Sequence, residues 1–150
     1  MPESFTVIFN SQGRNVINNA ALADVTYLVN WTAFLPLKFK RFKCRFVFKS
    51  TTYGVALLAN PGLVNMNLGK VDIYNGNSMA SSIGIIYPVV NSSIAGALAS
   101  YYNASPDDNA DFCIDYPTNQ QITIDLNTFA GATLAPMINY CLILTLEGIE

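Results

Sequence analysis

Residues 41–49 read Arg41-Phe42-Lys43-Cys44-Arg45-Phe46-Val47-Phe48-Lys49. Phe42, Cys44, Phe46 and Phe48 alternate with Arg41, Lys43, Arg45, Val47 and Lys49. In a β-strand, residues two apart share a face; on a helix they would lie on opposite sides. The segment therefore predicts a half-buried strand with an aromatic inner face and a cationic outer face.

The same period-2 logic extends in both directions. Residues 5–9 form a short strand, with turn chemistry from Asn10 to Gly13. Residues 25–31 are a β-branched and aromatic run. Residues 53–58 end at the breaker Asn60-Pro61-Gly62, and residues 70–74 end at Asn75-Gly76, a hairpin signal. Residues 83–90 are an apolar run long enough for a strand buried on both faces. Residues 111–116 and 121–126 flank Pro117-Thr118-Asn119, and 139–147 close the chain. One segment, 92–100, carries a cap-like serine and several alanines and is the helix candidate, weakened by Gly96. About eight short antiparallel strands, with Asn/Gly/Pro turns and no alternating helices, predict an all-β fold. Its expected form is a single jelly-roll β-sandwich of two sheets. With no repeat or low-complexity linker, residues 1–150 are expected to form one domain.

Composition narrows the function. The chain has 150 residues, 51% of them apolar and only 12% charged, about half the usual charged share. So little charge leaves apolar surface to be covered, which points to burial against partners, and it excludes intrinsic disorder. There is no histidine. Ser-His-Asp and Cys-His activation, His-ligated metals and imidazole acid–base roles are thereby removed, as is the histidine cluster of cupin-type jelly-roll enzymes. Asp107 and Asp108 are adjacent, so on an extended segment their carboxylates diverge and cannot act as a pair. A non-enzymatic protein without cofactors is expected.

The charges are segregated. Residues 1–70 hold all eight Lys and Arg with only Glu3 and Asp24, whereas residues 71–150 hold eight acids and no base. One reading is neutralisation within a single domain. The other is a bipolar subunit whose basic face meets an acidic neighbour or packaged nucleic acid. Cys44, Cys113 and Cys141 form no CxxC motif, and their placement in apolar runs suits reduced, buried thiols in a reducing compartment. Met1-Pro2-Glu3-Ser4-Phe5 has neither a basic n-region nor an apolar h-region, so no secretory signal is expected. The uncharged stretches 73–106 and 126–146 are broken by Asn, Ser and Pro and do not read as membrane spans. The sequons at Asn30, Asn91 and Asn103 are accordingly read as unglycosylated.

The last 43 residues carry Asp108-Asn109-Ala110-Asp111-Phe112, Tyr116-Pro117-Thr118-Asn119 and Ile122-Thr123-Ile124-Asp125-Leu126. Gly131 and Asn139-Tyr140-Cys141-Leu142-Ile143-Leu144-Thr145-Leu146-Glu147 follow. This pattern resembles the C-terminal strands of single jelly-roll capsid proteins from large icosahedral double-stranded DNA viruses and their virophages. In those proteins a Pro…Asn…Ile-Thr-Val-x-Leu strand precedes a final Tyr-x-Leu-x-Leu-x-Phe-Glu strand. Val29-Asn30-Trp31-Thr32, the Pro36 break and the 38–49 segment are similar to their early strands. Leu146 departs from the pattern, which has an aromatic before the glutamate. The resemblance covers about half the chain, and its motifs are structural rather than chemical. It implies a penton or minor capsid subunit located in the virion, assembled in the host cytoplasm with other capsid proteins. A homo-oligomer, a pentamer by preference, is implied, with weaker contact to packaged nucleic acid.

Six cations cluster at Lys38, Lys40, Arg41, Lys43, Arg45 and Lys49 and form the candidate interaction face. The aromatics among them do not make a base-stacking platform, because alternation puts them on the opposite face from the cations. Asp107-Asp108-Asn109-Ala110-Asp111 begins like a calcium loop. It lacks glycine at the sixth position and has Thr118 in place of the twelfth-position glutamate, so an Asx-rich turn is expected. The rival function is a TNF-like or lectin-like jelly-roll module recognising a receptor or glycan. A third is a nucleic-acid-binding β domain, whose affinity would fall steeply with salt.

Overall fold

A computed structural model of the chain describes residues 3–13, 16–21, 24–50, 61–69, 71–73, 82–91, 98–103, 111–131 and 139–149. They form an all-β, nearly barrel-shaped arrangement of eleven strands. These are β1 (Ser4–Asn10), β2 (Val16–Ala21), β3 (Asp24–Leu28), β4 (Arg41–Ser50), β5 (Gly62–Met66) and β6 (Val71–Ile73). They continue as β7 (Ser82–Asn91), β8 (Leu98–Asn103), β9 (Phe112–Asp115), β10 (Gln121–Thr128) and β11 (Tyr140–Ile149). Every strand pairing is antiparallel.

The pairing is nested along the chain. β1 pairs with β11, β3 with β10, β4 with β9, and β5 with β7. β11 also lies against β4, and β10 against β5. Two four-strand runs result, β1-β11-β4-β9 and β3-β10-β5-β7. The β7–β8 hairpin joins them, since Lys49 on β4 sits opposite Tyr102 on β8. β2 extends one edge beside β3, and β6 pairs with β9.

Alternation places the core. Phe42, Cys44, Phe46 and Phe48 of β4 are buried, while Arg41, Arg45, Val47 and Lys49 are exposed and Lys43 is half-buried, as the period of residues 41–49 requires. Tyr140, Leu142, Leu144 and Leu146 of β11, and Ile122, Ile124 and Leu126 of β10, turn the same way. All of them belong to one buried cluster. Polar atoms inside it find partners. The Tyr27 hydroxyl donates to that of Tyr140 at 3.1 Å, and the Trp31 indole N–H donates to the Asn119 carbonyl at 2.7 Å.

Several expectations need correction. Eleven strands stand where about eight were expected; β2, β5 and β8 had been missed. Their residues, Val-Ile-Asn-Asn-Ala-Ala, Gly-Leu-Val-Asn-Met and Leu-Ala-Ser-Tyr-Tyr-Asn, have weak or mixed local preference and are drawn into strands by their partners. Trp31 is not in a strand but opens a 3₁₀ turn, Trp31–Ala33, where its indole bond to Asn119 holds the chain. The segment at 83–90 is not buried on both faces: Ile83 and Ile86 are buried, but Tyr87 is exposed, and a register shift opposite Val64/Asn65, which leaves Ile83 of β7 as the extra residue, breaks the alternation. Residues 98–100 of the helix candidate are strand, because pairing with β7 outweighs alanine's helix preference. Residues 92–97, the 53–58 strand, Asn75-Gly76 and the Asp107–Ala110 loop lie outside the described residues.

One position on β11 has no room for a side chain. A Cβ placed on Gly148 would meet three ring atoms of Phe39 at 2.6 Å, and Phe39 is itself only 2% exposed. Gly148→Ala is expected to cost about 1–3 kcal/mol through overpacking. Urea denaturation should register the loss, and adding Phe39→Leu should recover part of it. Full additivity of the two substitutions would show that the ring contact is not the cause.

Candidate interaction face

The six predicted cations fall on two consecutive segments of the chain. Lys38 and Lys40 precede β4, whereas Arg41, Lys43, Arg45 and Lys49 lie on its outward side. The Lys38 ammonium sits 2.7 Å from a Glu3 carboxylate oxygen. Arg41 Nε lies 3.2 Å from Asp115 Oδ1, and Lys43 Nζ lies 3.3 Å from Asp111 Oδ2. β9 supplies Asp115, and Asp111 immediately precedes the strand; both reach β4 because the register sets Asp115 opposite Arg41 and runs β9 back along β4. Glu147 on β11 is also the register partner of Lys43. Three of the six cations thus meet an acid of the same chain, and two of them, Arg41 and Lys43, meet acids of the other half, so the segregated charges of the two halves are partly neutralised within the fold.

The remaining cations differ. Among the described residues, no carboxylate lies within ion-pair distance of Lys40 or Arg45. Lys49 Nζ stands 5.9 Å from the centre of the Tyr102 ring. The ion pairs themselves are exposed and carry little energy. Arg41→Ala and Asp115→Ala are each expected to change stability by no more than about 0.5 kcal/mol. A shift in the urea midpoint corresponding to more than 1 kcal/mol would contradict this.

The register places apolar residues among these cations. Ile8 on β1, Ile143 on β11 and Val47 on β4 are aligned in one row. Ile8 is 54% and Val47 55% exposed, and Ile143 is half-buried. The row on one side is Thr6, Thr145 and Arg45. On the other, Cys141, Lys49, Tyr102 and Tyr87 run across β11, β4, β8 and β7. Sequence reasoning had identified the cations and missed this aliphatic row. Val47 among the charges of β4 was its visible trace, but alignment across β1, β11 and β4 depends on register.

A concave surface lies elsewhere, where the loops around residues 30–37 and 116–120 meet. It is a cleft of about 330 Å³ lined by Trp31, Leu37, Tyr116 and Pro117, with Asn30 and Gln120 at its margin. The polar atoms of its aromatics are already engaged, the Tyr116 hydroxyl donating to the Leu35 carbonyl at 2.7 Å.

The thiols are poorly suited to nucleophilic chemistry. Cys44, Cys113 and Cys141 are all free. Burial pushes the thiols of Cys44 and Cys141 upward and so holds them protonated. Among the described residues, no three Cys, Asp or Glu side chains converge to hold a metal ion, and no helix is long and apolar enough to cross a membrane. No protein-family model matches the chain, and no curated protein does.

Proposed function

We propose that the chain is a single jelly-roll β-sandwich that serves as a structural virion protein, a penton or minor capsid subunit, and not as a catalyst. The observation that carries this reading is the nested pairing of β1 with β11, β3 with β10, β4 with β9 and β5 with β7. A ribbon of antiparallel strands paired first-with-last and rolled into two interleaved runs is the jelly-roll path, an architecture common in viral capsid and lectin domains. The resemblance of residues 108–147 to capsid jelly rolls supports the capsid branch. So does the low charge, because permanent interfaces resemble a domain core cut in half.

In this reading the subunit assembles with itself and with other capsid proteins through its loops and sheet edges, and its place is the virion. Light scattering of the purified protein tests it. A mass near five times that of the 16.4 kDa chain fits a penton, and antibody labelling of intact particles should then place the protein in the shell. A chain that stays monomeric and labels no particle would reject it. The cleft between Trp31 and Tyr116 favours one second reading, a lectin-like module, which specific binding on a glycan array would promote.

A further inference from the structure

Deepening the assembly role just proposed, we infer that the outer face of β1, β11 and β4, centred on Ile8, Ile143 and Val47, seats a carboxylate-bearing surface of a second copy of this chain. Three observations lead there. The first is composition. An aliphatic row more than half exposed at Ile8 and Val47 is flanked by Arg45 on one side and by Lys49 and Tyr102 on the other. An apolar centre with an aromatic and cationic margin is the anatomy of a protein–protein contact. A phosphate backbone gains nothing from Ile8, Ile143 and Val47, so this arrangement argues against nucleic acid as the occupant.

The second is extent. With neighbouring strands about 4.8 Å apart, the five strands from β1 through β11, β4 and β8 to β7 span about 19 Å. A patch of that width forms the centre of a standard interface, which buries about 800 Å² per partner.

The third is charge. Packed on itself about a two-fold axis, the face would set like cations together. The chain carries ten acids against eight bases. The described ion pairs occupy three of each, with Glu3, Asp111 and Asp115 on the acid side, and Asp125 has a partner of its own, which leaves six acids against five bases. A second copy therefore brings surplus carboxylate to Arg45 and Lys49 when it presents a different surface. Contacts between unlike surfaces run head to tail and close into rings when the rotation allows, the form a vertex oligomer requires.

Sedimentation velocity of the full chain tests the inference. Val47→Glu and Ile8→Glu are each expected to weaken self-association at least tenfold, and Arg45→Glu to weaken it more at low salt than at high salt. Circular dichroism and the melting temperature should stay near wild type, because both aliphatic positions are half exposed. Val47→Ser, which adds no charge, repeats the test should the glutamate disturb folding. Variants that associate like wild type overturn the inference and leave the assembly role standing. A wild-type chain that never associates removes the assembly role itself. Salt-steep binding of duplex DNA, abolished by Arg45→Ser, would assign the face to the genome and likewise overturn it.

Discussion

Phe42→Ala is expected to lower the free energy of unfolding by about 3–5 kcal/mol, the range for removing a buried aromatic. Phe42 is fully buried. Its ring lies 6.5 Å from that of Phe5, 5.8 Å from Phe39 and 5.8 Å from Tyr116, centre to centre. These rings come from β1, the segment before β4, β4 itself and the segment after β9. Truncation would open a cavity where four separate parts of the chain meet, and little around it can collapse inward. Domains of this kind are stable by only about 5–15 kcal/mol, so the variant should stand close to unfolding at room temperature. Urea denaturation with an unchanged m-value is the check. A loss under 1 kcal/mol would mean that this aromatic cluster does not anchor the sheet.

Alkali is expected to destabilise the protein well before it damages the backbone. Burial raises the Tyr27 hydroxyl from its ordinary value of 10.0 to about 12, and its hydrogen bond with Tyr140 offsets only part of that. Above pH 10 the unfolded chain releases this proton while the folded chain keeps it. Folding is thus fully supported below pH 10 and loses about 1.4 kcal/mol per pH unit from there to pH 12, between 2 and 3 kcal/mol in all. Burial displaces the Cys44 thiol in the same direction, so its contribution also fades as pH rises past the ordinary thiol value. Urea midpoints measured from pH 8 to 11.5 should fall, and Tyr27→Phe should flatten the upper part of that curve. A midpoint that holds constant to pH 11.5 would contradict the burial of both groups.

The strands that could be read in advance are those whose side chains alternate without interruption. β4, β10 and β11 each place an apolar residue at every second position over most of their length, and burial follows that period there. β5 and β8 are different. Gly62-Leu63-Val64-Asn65-Met66 follows a breaker, and its Asn65 makes a polar contact with the Ser82 hydroxyl. β8 begins in an alanine-rich stretch whose local preference is helical. β5 becomes a strand because β10 and β7, and β8 because β7 and β4, offer a row of unpaired backbone groups, a cause that lies outside each segment's own residues. The candidate face was half legible for the same reason. Its cations were visible in the sequence, but which were neutralised depended on β9 lying beside β4, and the aliphatic row depended on β11 lying between β1 and β4.

The amino-acid order alone therefore determined the all-β class, the inner and outer sides of the most regular strands, and the exclusion of histidine chemistry. Each of these depends on side-chain type and spacing along the backbone, which need no partner to be defined. The tertiary structure decided the nested pairing, the near-closure into a barrel and which of Lys38, Lys40, Arg41, Lys43, Arg45 and Lys49 meet a carboxylate among the described residues. Those properties belong to pairs of strands, and a pair separated by more than a hundred residues, such as β1 and β11, has a register only once the shared core has drawn the two together.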